Sequence, residues 1–213
     1  MIDSEKLTGA REFILQEHQG LYSLYQSTKE VGDNRLNFYV TFVAGSLTIT
    51  ATMYSFILPE LRPWLVLCIT SVLITVGLIT YRKMLQIRVE TVAYRRRLNR
   101  IRGWFLKFYP EVISGIPYSN LQVINMDWGG KYRLGSTAFS VAFINTALLS
   151  FCMLAICIMV FGVSSLYWSF PLSSTAGCVS WIFHLAWKNN WMKIAELNDE
   201  KNLEDLKNIQ NNY

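Results

Sequence analysis

Two stripes of small polar residues stand out in this 213-residue chain. At helical spacing, Ser169, Ser173, Gly177, Ser180 and His184 share one face, and so do Thr41, Gly45, Thr48, Thr52 and Ser55. A weaker third stripe runs through Ser136, Ser140, Ala147 and Ser150, with Asn145 to one side. Two kinds of chemistry suit such seams. In a bilayer, Gly, Ser and Thr let helix backbones approach closely, and their hydroxyls can bond to the preceding turn of their own helix. Alternatively, copies of one seam around a common axis would line a wet, weakly selective pore. Pro171 would then act as a hinge, and His184 as a gate or proton sensor.

A third constellation is cationic. Arg88, Arg95, Arg96, Arg97, Arg100 and Arg102 crowd one short stretch. Guanidinium groups next to a membrane attract anionic headgroups, and their forked donors match phosphate and carboxylate. The bilayer surface is therefore the first expected partner. A cytosolic partner protein or a phosphorylated small-molecule signal comes second, and nucleic acid last. The interleaved aromatics Tyr94, Trp104, Phe105 and Tyr109 serve equally well as membrane-interface anchors.

Other chemistries find no residues to carry them. The apolar runs hold no carboxylate, so neither paired acids nor a charged transport site can be assembled there. Gly130 and Lys131 lack the spacing of a phosphate loop, and Tyr132 stands where a metal-binding hydroxyl is needed. The four cysteines form no CxxC pair and all fall within apolar runs, where thiols act as small hydrophobes. No enzyme, metal or cofactor is expected.

The seams need apolar rods to carry them. Residues 36–58 run 23 positions without a charge, residues 64–81 run 18, and residues 135–166 run 32. A helix crosses the hydrocarbon core in roughly 20 residues. The third run exceeds one crossing, so it divides at Gly162 into a span over 136–161 and a fourth over 166–187. The expected fold is all-α and polytopic, with four transmembrane helices and cytoplasmic helical extensions. Its segments are a helix over 1–35, a span pair over 36–81, a basic helix and loop over 82–134, a second span pair over 135–187, and a polar helix over 188–213. The first span is expected to remain as an uncleaved anchor.

Charge sets the orientation. Of 20 Lys and Arg, 11 lie between Arg82 and Arg133, against three acids, whereas the loop after the first span carries one Arg and one Glu. Positive charge gathers on the cytoplasmic side, so the centre and, with four crossings, both termini face the cytoplasm of an inner membrane. Before the first span, Leu7, Ala10, Ile14, Leu21, Leu24, Thr28 and Val31 approximate a heptad broken by Glu17. This preface is expected to lie across the chain's own basic segment rather than to coil with another molecule. The segment around 111–135 reads as a compact loop with a small hairpin, and the acids of the C-terminal helix are candidates to pair with the arginine helix.

The layout combines the helical preface LYSLYQSTKEVGDNRLNFYV, two span pairs and the arginine helix YRRRLNRIRGWFLKFYP between them. In architecture it resembles small bacterial multi-pass effectors of anti-phage defence loci. That resemblance implies a cytoplasmic signal and permeabilisation or depolarisation of the inner membrane. The expected function is thus an oligomeric, channel-like or membrane-disrupting effector controlled through its cytoplasmic helices. The alternative is a membrane anchor or scaffold that recruits a cytosolic protein without conducting ions.

Overall fold

The computed structural model describes residues 4–108, 137–162 and 166–211. They form four α-helices: α1 (Ser4–Phe56), α2 (Arg62–Phe108), α3 (Thr137–Phe161) and α4 (Leu166–Asn211). The loop and hairpin expected around 111–135 lie outside the described residues, as do the side chains of Asp199, Glu200, Glu204 and Asp205.

Local chemistry explains the boundaries. The last turn of α1 continues to Ile57, whose N–H donates to Met53 O at 3.2 Å. The chain then turns through Pro59, with Leu61 N–H donating to Leu58 O at 2.9 Å. Arg62 closes this hairpin. Its Nε donates to Ile57 O at 3.1 Å, and its guanidinium sits 4.9 Å from the centre of the Tyr54 ring. A cation at the carbonyl end of α1 complements the helix dipole. Helix α3 ends at Gly162, whose φ of 76° suits a residue without a Cβ and whose N–H donates to Ile158 O at 3.0 Å. Pro171 is accommodated inside α4, in its second turn.

The N-terminal segment and the first span, separate in the sequence reading, form one helix over Ser4–Phe56, and the fourth span continues without a break into the C-terminal helix over Leu166–Asn211. Three helices contain stretches long and apolar enough to cross a membrane: Arg11–Phe56, Arg62–Arg102 and Thr137–Phe161. The fourth expected span falls short by composition, because serines, Pro171 and His184 dilute its apolar residues.

The described residues divide into two compact units. One draws on Met1–Val31 and Gln86–Gly130, the other on Gly32–Leu85 and Lys131–Tyr213. In the first, the start of α1 packs on the end of α2, as expected of a preface lying on its own basic segment. The seam differs from the heptad read in the sequence. The inward positions are Ile14, His18, Leu21, Tyr25 and Thr28, while Leu24 and Val31 are exposed. Specific pairing outweighs apolar character here: Arg95 Nη2 donates to Tyr25 Oη at 2.6 Å, and the Arg95 guanidinium lies 5.3 Å from that ring's centre. Leu21, Leu98 and Asn99 are buried in the same unit.

The second unit exposes large apolar side chains and buries several polar ones among the apolar residues of its core. Phe38, Phe42, Ile49, Val72, Ile79, Phe143, Phe151, Val160, Val179 and Ile182 are exposed, whereas Asn145, Ser169, Ser173, Ser180 and His184 are buried. Water-soluble domains bury their apolar residues and rarely expose contiguous apolar surface on this scale. The arrangement suits hydrocarbon as solvent.

Candidate functional site

All four helices send a residue into one buried cluster of the second unit. Tyr39 comes from α1, Gly77 and Tyr81 from α2, Asn145 from α3, and Ser180 and His184 from α4. Tyr39 and Tyr81 are 0 % exposed, Asn145 1 % and His184 2 %. With no water available, each polar atom must find a protein partner or cost free energy.

The hydrogen bonds form a directed chain that one carbonyl orients. His184 Nδ1 lies 2.7 Å from Ser180 O. A carbonyl only accepts, so Nδ1 carries the proton, and in a neutral ring Nε2 must accept. Asn145 therefore presents Nδ2 to Nε2, 3.4 Å away. Its Oδ1 is left for the Tyr39 hydroxyl, which donates at 2.6 Å. Alongside the chain, Tyr81 Oη donates to His184 O at 2.7 Å, and its ring meets the imidazole edge-on at 4.7 Å between centroids. Trp187 meets the Tyr81 ring edge-on at 5.6 Å between centroids. The imidazole is thus held on both nitrogens and on one face.

Gly77 makes room for this chain. A Cβ at that position would overlap Asn145 Oδ1 outright and come within 2.5 Å of Tyr39 Oη. Only a residue without a side chain lets α2 pass behind the Tyr39–Asn145 bond.

The sequence-derived seams part company. On α4, Ser169, Ser173, Gly177, Ser180 and His184 are all buried, so this face packs inside the bundle. Gly177 is where α3 and α4 approach closely, since a Cβ there would lie 2.6 Å from Ser150 Oγ. Ser173 bonds back to Phe170 O at 3.0 Å. On α1, Thr41, Gly45, Thr48, Thr52 and Ser55 are all exposed. Thr48, Thr52 and Ser55 donate to Ala44 O, Thr48 O and Thr52 O at 2.8–3.0 Å, and nothing approaches the Cβ position of Gly45 within 4 Å.

In the cationic stretch, Arg88, Arg95 and Arg96 are half-buried, while Arg97, Arg100 and Arg102 are exposed. Arg102 lies near the half-buried His18. Burial first, and the Arg102 charge second, push the His18 imidazole below its ordinary value of 6.5. Among the described residues, no three His, Cys, Asp or Glu side chains gather where a metal could bind. All four cysteines are free thiols.

Sequence reasoning found His184 and Ser180 but missed Tyr39, Gly77 and Tyr81 as their companions, and it set Asn145 aside. A signal for Asn145 was present: it is the only Asn, Gln or charged residue in the run from 135 to 166, and a strongly polar side chain at membrane depth calls for a partner. Nothing in the sequence pairs Tyr39 with a residue 106 positions away.

No protein-family model, curated protein or solved structure matches this chain.

Proposed function

We propose that the chain is a four-span inner-membrane protein that assembles with copies of itself through α1 and acts, without enzymatic chemistry, as a channel-like effector governed by its cytoplasmic helices. One observation carries this reading. The inward face of α1 runs through Gly32, Leu36, Tyr39, Val43, Ser46 and Thr50. Thr41, Gly45, Thr48 and Thr52 each follow one of these positions by two residues, a rotation of about 200° at roughly 100° per residue. The hydroxyl stripe therefore points directly away from the bundle. Hydrocarbon tolerates such a stripe because its hydroxyls bond within α1, but a second copy or a water-filled lumen is what would use it.

The fourth crossing is supported by the way α4 partitions its residues. Residues 166–187 number 22, roughly 33 Å of helix at about 1.5 Å per residue. Of the groups that lower its apolarity, Ser169, Ser173, Ser180 and His184 are buried and Pro171 is exposed, while Phe170, Leu172, Val179, Ile182 and Phe183 are exposed. Averaging the two faces hides an apolar outer surface, although Ser174 and Thr175 remain on it. Four crossings, with the basic segment inside, leave both termini in the cytoplasm. A role in anti-phage defence follows from the architectural resemblance alone.

The test is ion flux from liposomes holding the purified chain, with subunit number measured by light scattering in mild detergent. Thr48→Leu and Thr52→Leu should abolish flux or change the subunit number. A monomer with no flux, unaltered by either substitution, would refute the reading. The exposed Arg97 and Arg100 favour the scaffold as a second reading. It requires a cytosolic protein that co-purifies with the wild type and is lost on Arg97→Glu/Arg100→Glu, with no flux from either.

A further inference from the structure

The directed chain between α1, α3 and α4 holds only while His184 is neutral. From this geometry we propose that the Tyr39–Asn145–His184 chain is a proton-operated latch on α1. The Nδ1 proton is committed to Ser180 O at 2.7 Å, so a second proton, taken from water, can bind only at Nε2. That nitrogen then becomes a donor and can no longer face the Asn145 NH2 group. Asn145 must turn its amide through about 180° to offer Oδ1. The turn moves Nδ2 to the Tyr39 side, where the phenol oxygen now accepts instead of donating. The Tyr39 O–H is left without its acceptor inside a site where the residue is 0 % exposed. Gly77, against which the pair is packed, brings no side chain that could take the bond. The hydroxyl is satisfied again when Tyr39 turns its O–H to a new acceptor, and the proposal is that it does so by shifting together with α1.

Within the cluster, His184 Nε2 is the nitrogen at which an added proton can bind. The titratable groups facing it are Tyr39 from α1, Tyr81 from α2, and Lys188 one turn further along α4, itself buried. From α3 comes only the neutral amide of Asn145. The phenols of Tyr39 and Tyr81 already spend their protons on Asn145 Oδ1 and His184 O. No carboxylate lies in the apolar runs to hold a second proton on the ring by charge. Protonation therefore acts through the polarity of the hydrogen bonds, from α4 through α3 to α1. The latch follows from the bundle alone and does not require that the assembly conduct.

Magnetic resonance on the full chain in lipid nanodiscs tests it, with ¹⁵N-labelled histidine, ¹³C-labelled tyrosine and His18→Gln to leave a single imidazole. At about pH 8 the ring should show the Nδ1–H tautomer. On acidification toward about pH 5, the span over which His ordinarily changes charge, the His184 nitrogens and the Tyr39 Cζ signal should move together. In Asn145→Leu the imidazole should still titrate while Tyr39 stays still. Ser180→Ala, which keeps the accepting carbonyl, should behave as wild type. An Nε2–H tautomer at neutral pH, an imidazole that takes no proton, or a Tyr39 signal that ignores the titration in the unmutated cluster would each overturn the proposal. The tautomer and the wild-type titration decide it even if a variant fails to fold.

Discussion

Gly77→Ala should destabilise the bundle strongly, against the usual effect of that exchange. In a helix interior, alanine is favoured over glycine by about 1 kcal/mol. At position 77 the new methyl would collide with Asn145 Oδ1 and approach Tyr39 Oη to 2.5 Å. Overpacking of this kind costs about 1–3 kcal/mol. Pushing the amide aside also breaks the buried Tyr39–Asn145 bond, and leaving such groups unsatisfied costs about 1–3 kcal/mol more. Subtracting the helix gain leaves a net loss of about 1–5 kcal/mol. At about 2–4 °C per kcal/mol for a chain of this size, the melting temperature should fall by roughly 2–20 °C. Circular dichroism in mild detergent would follow it. Gly20→Ala is the control: nothing lies within 4 Å of its Cβ position, so it should melt at or slightly above wild type. Asn145→Ala removes the clashing amide, so Gly77→Ala/Asn145→Ala should lose less than the sum of the single changes. A Gly77→Ala protein as stable as wild type, or strict additivity in the pair, would refute this account of the cluster.

Gly177→Ala should cost less than Gly77→Ala, because the obstacle is one serine hydroxyl, and Ser150→Ala in the same chain should restore most of the loss. Thr146 Oγ1 is the buried side-chain oxygen without a partner among the described residues. Thr146→Val should therefore raise stability by about 1–2 kcal/mol in detergent melting. Tyr25→Phe keeps the ring under Arg95 and removes the 2.6 Å bond, so about 1 kcal/mol of protection should vanish from the start of α1 in hydrogen exchange. His18 binds its proton less readily in the folded chain than at its ordinary value of 6.5. The stability it contributes is thus complete above about pH 6.5 and is lost as the pH falls below that value. His18→Gln should flatten the acid limb of a stability profile, and Arg102→Gln, which removes the smaller cause of the shift, should make that limb shallower while it still begins near pH 6.5.

The membrane character of the chain was legible without coordinates. Long charge-free runs announce long apolar helices, because they are a property of composition along one dimension. The preface was legible as a helix resting on the basic segment, but its seam was misplaced. Counting apolar residues favoured Leu24 and Val31, whereas His18 and Tyr25 turn inward, Tyr25 to bond and stack with the Arg95 guanidinium.

Tertiary structure decided where the two hydroxyl seams lie. In sequence they look alike, since hydroxyls that bond to their own preceding turn are equally comfortable on an inner or an outer face. Only the packing of α3 against α4 buries the Ser169–His184 face, and only the narrow inward face of α1 turns Thr41 through Ser55 outward. The buried chain belongs wholly to that third dimension. Tyr39, Gly77, Asn145 and His184 lie on four different helices, and each bond in the chain has a direction that depends on its neighbour's donor or acceptor role. Periodicity records which face of a helix a residue occupies, but not which partner that face will meet.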